Sequence, residues 1–295
     1  MKFGFLALLA TTQLAFSATM PSQLLEETGG VRSQAMGGAH RGIGDANDTL
    51  TLNPGAMALS RRYGVDLQYT FLERDSTNRI SVSAVDAKSG AIAGGLAYDF
   101  ISGHNDIVDF KLHRMTLGMA YNMNNVISLG ASGHYLNVKE KAPNDTSEVD
   151  FRELWTADIG LAAQISSLLT LGISYHNFIE TDSPHLTPPA IGIGLGINSD
   201  LMLLAFDLRV DLTESKSPKL WYHVGGEFMA SENIPIRAGY KNTTFVDSLG
   251  TLKRENILSL GIGYASPQAS LDCTFTKSVE RHANWSGIFA LRFFI

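Results

Sequence analysis

Residues 65–71 read Val65-Asp66-Leu67-Gln68-Tyr69-Thr70-Phe71, apolar at every odd position and polar at every even one. A period of two separates the faces of a β-strand, because successive side chains leave the backbone on opposite sides. The pattern recurs at 80–85, 92–100, 114–121, 127–137, 155–163 and 169–176. It continues at 191–197, 202–212, 220–228, 234–241, 258–264, 269–276 and 287–295. These make about fourteen segments, an even number, as single-chain bacterial barrels require.

The connections carry a second signal. Short turns near 88–90, 122–125, 166–167, 198–200, 231–233 and 266–267 alternate with longer polar stretches at 74–78, 102–109, 139–150, 177–187, 213–219, 242–256 and 277–284. Outer-membrane barrels show this asymmetry between periplasmic turns and extracellular loops. A soluble sandwich has no reason to keep it. The two faces also differ: Leu169, Leu171, Ile173 and Tyr175 alternate with Thr170, Gly172, Ser174 and His176, and Ile191, Ile193, Leu195 and Ile197 with Gly192, Gly194 and Gly196. Apolar residues facing outward meet lipid; inward glycines leave room for something inside. Tyr69, Tyr98, Tyr121, Tyr135, Tyr175, Tyr222, Tyr240 and Tyr264 fall mostly near segment ends, where interfacial girdles belong.

Composition agrees. The chain is 44% hydrophobic, yet beyond its first residues no 18-residue window is wholly apolar, so spanning helices are not expected. One cysteine, Cys273, allows neither an internal disulfide nor a cysteine metal site, and a net charge of −6 argues against nucleic acid. Lys2, the apolar run 3–16 and the small residues Ala15, Ser17 and Ala18 read as a signal peptide over 1–17, which directs the chain out of the cytoplasm. The expectation is an all-β transmembrane antiparallel barrel over 63–295, in the bacterial outer membrane, with a plug over 18–62. The heart of that plug, GGVRSQAMGGAHRGIGDANDTLTLNPGAMALS (29–60), is rich in small residues and shows no strand alternation. Its Asn53-Pro54-Gly55 turn is read as structural, since proline locks φ and the asparagine side chain bonds its own turn.

Arg32-Ser33-Gln34-Ala35-Met36-Gly37-Gly38-Ala39, with Asp45, Asp48 and Asn53-Pro54-Gly55, resembles the N-terminus of FadL-like outer-membrane proteins, and is most similar to the branch that includes PorV-like proteins. Members pair an AMGGA stretch with an NPA turn; here Gly55 stands in place of the alanine. The resemblance implies a 14-stranded barrel with an N-terminal hatch, acting as a channel for passive uptake of hydrophobic or amphipathic, fatty-acid-like molecules. The alternative it implies is a PorV-like accessory barrel that binds exported proteins. In FadL-like transporters the third strand kinks to open the wall sideways, and Gly94-Gly95 is where such a kink would fall. Those transporters also build a greasy capture site from long surface loops, whereas the loops here are polar.

Strand parity places Asp66, Asp158, Asp207, Asp211, Glu227 and Asp272 inside the barrel, with Arg114, Arg209, Arg237 and Arg292. Buried ions need partners, which Arg32, Arg41, Asp45 and Asp48 of the plug can supply. No enzyme is expected: His104, His113, His134, His176, His185, His223 and His282 lie scattered, with no motif spacing to any serine. No metal or cofactor site is read, and the glycines of 192–196 lie on a strand with no helix after it, so they form no phosphate loop. The expected partners are outer-membrane lipid, a hydrophobic small molecule or detergent in the lumen, and the barrel-assembly machinery, which would read Phe289, Leu291, Phe293 and Ile295.

Overall fold

The computed structural model describes residues 29–44, 46–104, 108–124, 126–141, 150–213, 218–246, 251–281 and 284–295. The signal peptide expected over 1–17, Asp45 and His282 lie outside them. The chain forms fourteen strands in sequence order: β1 (Tyr63–Leu72), β2 (Thr77–Asp86), β3 (Ile92–His104), β4 (Asp109–Asn122), β5 (Ile127–Lys141), β6 (Asp150–Gln164) and β7 (Leu169–His176). There follow β8 (Ala190–Asn198), β9 (Met202–Asp211), β10 (Lys219–Ser231), β11 (Ile234–Val246), β12 (Leu252–Ala265), β13 (Ala269–Ser278) and β14 (Trp285–Phe294).

Each strand pairs antiparallel with its sequence neighbours, and β1 closes on β14 from Gly64 opposite Phe294 to Leu72 opposite Ser286. Closure leaves no unpaired edge, which is what lets a sheet sit in hydrocarbon. Every alternating segment falls on one strand. The outward set is exposed, as at Leu117, Leu171, Ile193, Leu260 and Phe289, while inward partners such as Thr116, Ser174, Asp207 and Ser259 are buried. No helix among the described residues is long and apolar enough to cross a membrane.

The structure departs from the sequence reading in two places. The strands β3–β6 and β10–β12 run past the alternating segments into stretches expected as loop, so that Ser102–His104, Lys139–Lys141 and Asn242–Val246 are paired. Ladder hydrogen bonds continue above the apolar band, where the side chains no longer need to be apolar. No register shift marks the kink expected at Gly94-Gly95. β3 pairs residue for residue with β4 from Ile92 to His104 and with β2 from Gly94 to Ser102, so the wall is closed there. Instead, Gly95 faces inward, where a side chain would press on Leu50, Met57 and Val85. Its lack of a side chain serves close packing rather than bending.

Inside the barrel lie two short helices, α1 (Val31–Ala35) and α2 (Ala46–Leu52), followed by a 3-10 turn (Pro54–Ala58). α1 packs beside β11–β14, α2 beside β1–β4, and the 3-10 turn beside β3–β7. The link between the helices runs past β8, β9 and β10, through Gly42 at Gly194, His40 at Asp207 and Met36 at Gly225. The segment therefore touches all fourteen strands.

A charge on the outer face would test the lipid-facing assignment. Leu260→Arg, mid-height on β12, is expected to destabilise the barrel by about 2–4 kcal/mol in vesicles, measured by denaturant unfolding.

Candidate functional site: the plugged lumen

Buried charges on the wall hold the N-terminal segment at three anchors. Asp207 on β9 accepts the backbone N–H groups of His40 and Arg41 at 3.0 and 2.9 Å, and the Arg41 guanidinium at 3.1 Å. Glu227 on β10 takes both arms of Arg32, at 2.9 and 2.7 Å, and the Nε of Arg237 at 2.6 Å; Arg237 in turn reaches Asp272 at 2.5 Å. Arg292 on β14 bridges Asp48 of α2 at 3.1 Å and Asp66 of β1 at 2.9 Å. Asp48 also accepts the Ser33 N–H at 3.1 Å, tying the two plug helices together. Every one of these ions but Arg32, which is half-buried, is buried, so they depend on their partners rather than on water.

Neutral bonds complete the attachment. Asn53 donates through Nδ2 to the carbonyl of Arg41 at 2.8 Å and to that of Leu161 in the wall at 3.1 Å, while its Oδ1 accepts Gly55 N–H at 3.1 Å. One asparagine thus closes its own turn and fastens it to β6. His223 Nδ1 donates to the Gly37 carbonyl at 2.8 Å, and Thr274 to that of Val31 at 3.0 Å. Met36 is fully buried with Ala39 and Ile43 against Leu203 and Ala205.

Backbone meets backbone where these bonds form. Gly37 has φ +66, and a Cβ there would lie 2.7 Å from the Tyr240 nitrogen; Gly38 has φ +82, with His223 Nδ1 2.8 Å from any added Cβ. A Cβ on Gly42 would lie 2.8 Å from Gly196 N, and one on Gly55 2.6 Å from Gly160 C. The inward wall glycines, among them Gly160, Gly194, Gly196, Gly225 and Gly239, are therefore the track on which the N-terminal segment lies.

Other residues that parity placed inside make bonds within the wall. Arg114 and Arg79 clamp Asp99 from two sides, at 2.9 and 3.0 Å through their Nε atoms, and bind strands β2, β3 and β4 to each other. Arg209 lies with its guanidinium 4.6 Å from the Trp221 ring. Asp158 sits between two imidazoles, 3.1 Å from His134 Nε2 and 2.9 Å from His176 Nδ1. His176 Nε2 is 2.9 Å from Ser174 Oγ, a serine–histidine–aspartate contact that sequence spacing did not show, because strand pairing brings Asp158 to His176. Ser174 is only 1% exposed, so the contact joins β6 to β7 rather than offering a nucleophile. No group of three or more metal-ligating side chains occurs among the described residues.

Above the plug the lumen changes character. Ile101, Phe110, Leu112, Leu136, Val138 and Leu154 point inward from β3–β6 and form one buried apolar cluster with Val108 and Leu186. Leu186 belongs to the connection after β7, which folds over the lumen; beside it, burial and the Arg152 guanidinium lower the pKa of His185. The polar-loop reading missed this cluster. Its signal was in the strands, where the inward positions of the extracellular halves turn from polar to apolar. Between cluster and plug lies a cavity of about 60 Å³ lined by Arg41, Arg114, His134, Leu136, His176 and Arg209. That is room for a few waters, against roughly 300–1,000 Å³ for a pocket that takes an organic ligand. The lumen is thus shut from below by the N-terminal segment and greasy above it.

These features define a closed outer-membrane-type β-barrel whose lumen is filled from its own N-terminus. No protein-family model matches the chain, and no curated protein matches it in sequence. Solved structures do match its fold. The CymD monoaromatic hydrocarbon channel superposes with a TM-score of 0.71 at 14% identity, over 90% of this chain and 97% of that one. The P. putida toluene transporter TodX gives 0.68 at 12%, over 91% and 98%, and a Pseudomonas aeruginosa FadL homologue 0.67 at 12%, over 90% and 98%. The chain therefore has the fold of the FadL-type channels.

Removing one anchor isolates its contribution. Asp207→Ala leaves Arg41 buried without its carboxylate, which costs about 3–5 kcal/mol at that site. The expected result is faster proteolysis within residues 29–62 and larger single-channel conductance. Asp211→Asn, whose carboxylate bonds Thr213 at the rim, leaves both unchanged.

Proposed function

We propose that this protein is a passive outer-membrane channel for hydrophobic or amphipathic small molecules, with residues 29–62 as its gate. The observation that carries the reading is the apolar cluster of β3–β6, placed inside the extracellular half of a barrel whose lower half is closed. An apolar inner surface has no use in a water-filled pore. It gains about 25 cal/mol per Å² when it covers apolar solute surface, so it concentrates such solutes where sugars and ions gain nothing. The solved structures of the same fold include channels and transporters described for monoaromatic hydrocarbons and toluene, which supports a solute of that general kind.

Passage requires the plug to move, because the cavity above it is too small for an organic solute. The anchors at Asp207, Glu227 and Arg292 set how costly that motion is. The closed wall at Gly94-Gly95 favours travel along the lumen over sideways escape through β3.

Liposome flux tests the reading. The refolded chain is expected to pass toluene or a long-chain fatty acid faster than sucrose. Leu112→Asp with Leu136→Asp puts two charges into the cluster and is expected to cut apolar flux at least tenfold, since burying each leucine is worth about 1.5–3 kcal/mol. Deletion of residues 29–60 is expected to leave a folded barrel of higher conductance. Equal fluxes for all solutes, together with a stable complex with an exported protein, would replace the channel by the accessory role.

A further inference from the structure

The outward face of β3–β6 is ordered in rows. Tyr98, Met115, Tyr135 and Trp155 lie side by side in register, and two residues further towards the extracellular end come Phe100, His113, Asn137 and Glu153. Tyr98 bonds His113 at 2.7 Å and Tyr135 bonds Glu153 at 2.9 Å, so the polar tips of this aromatic belt are already used. The next row holds Ser102, Lys111, Lys139 and Phe151, and Lys141 lies above it on β5.

Lys111 and Lys139 are directly opposite each other in the β4–β5 ladder, both exposed and both on the outer wall. Like charges in that position repel and weaken a strand pair unless an anion lies between them. Two described carboxylates lie close by, and one of them, Asp109, stands directly opposite Lys141 in the ladder. Asp109 contacts His104, and Glu140 points into the barrel, where Arg152 meets it at 3.2 Å. Among the described residues no carboxylate pairs with Lys111, Lys139 or Lys141; the connections 105–107 and 142–149 lie outside them. Lys139 does sit over the Phe151 ring, its Nζ 5.8 Å from the centroid. A cleft of about 530 Å³ at the end of these strands is lined by Ser102, Lys111, Lys139 and Lys141 together with Asp109, Phe110 and Glu140.

Height decides what fills it. Antiparallel strands rise about 3.4 Å per residue and barrel strands tilt by about 35–45°, so the lysine row stands roughly 5 Å higher than Phe100 and His113 and about 10 Å higher than Tyr135 and Trp155. Aromatic belts mark the edge of the hydrocarbon, and the headgroup layer occupies about 5–8 Å beyond each edge. Lysine ammoniums at that level, on the lipid side of the wall, face phosphates.

We propose that Lys111, Lys139 and Lys141 form a binding site for a phosphate-bearing headgroup of an outer-leaflet lipid, held against the β3–β6 wall with its acyl chains over Met115, Leu117 and Trp155. The site neutralises the Lys111–Lys139 repulsion. It lies on the wall that carries the apolar cluster on its inner side, so a bound lipid stiffens the strands through which solute is taken up. The proposal needs only the membrane-embedded barrel and stands whether or not the lumen conducts.

Lipid A carrying its phosphates, dephosphorylated lipid A and inorganic phosphate are the probes, with the full barrel in detergent micelles and native mass spectrometry or tryptophan fluorescence as readout. The expected result is a one-to-one complex with phosphorylated lipid A, at least tenfold weaker for the dephosphorylated form and at least tenfold weaker for Lys111→Gln with Lys139→Gln. Lys88→Gln, on a periplasmic turn, should leave it unchanged. The unfolding midpoint without lipid should rise or hold in the double variant, which shows that it folds. Equal binding by the double variant overturns the proposal, as does equal binding of dephosphorylated lipid A. Displacement of lipid A by millimolar inorganic phosphate would also overturn it, since that means a free-anion site.

Discussion

A charge inside a membrane barrel has to find its counter-charge inside the same barrel, and that constraint shapes this molecule. Asp207, Glu227 and Arg292 lie on the inner wall, buried, at three places around the circumference. Their partners are backbone N–H groups and side chains of the segment before β1. Without the plug the lumen would admit water, and each would exchange its plug partner for hydration, Glu227 and Arg292 keeping Arg237 and Asp66 of the wall. Without the wall, two helices of five and seven residues would have no reason to fold. The N-terminal segment therefore depends on the wall for its fold, whereas the barrel closes on its own ladder of fourteen strands.

Separation is made conceivable by how the two surfaces meet. Much of the contact is glycine against backbone, which gives close fit but few interlocking side chains. Strength is concentrated instead in a few ion pairs and in Asn53, each of which breaks as a unit. Such an interface is well held at rest and has discrete steps of release.

Function follows from what stands above that interface. The inner wall of β3–β6 packs Ala93, Ala97 and Ala120 against Leu50 and Met57 of the plug, carries a polar band at Asp99, Thr116, Ser132 and Asp158, and turns apolar towards the extracellular end, at Ile101, Leu112, Val138 and Leu154. The polar band thus separates the plug's apolar packing from the upper apolar cluster. The outer wall of the same strands carries an aromatic belt and then lysines, so one quarter of the barrel is specialised on both faces.

The sequence by itself determined the strands, their parity and the order of short and long connections, because period-two alternation is a local property that each strand must show to face lipid on one side. It also determined which ions lie inside, since parity alone assigns Asp207, Glu227, Arg237 and Arg292 to the lumen. Partners could not be read from it: Arg32 and Glu227 are 195 residues apart, and only closure of the barrel brings them together. The same holds for His176 with Asp158, for the apolar cluster, and for Gly95, whose inward face lies against Leu50 and Met57. Tertiary structure decided these because each depends on which strand lies beside which, and on what fills the space they enclose.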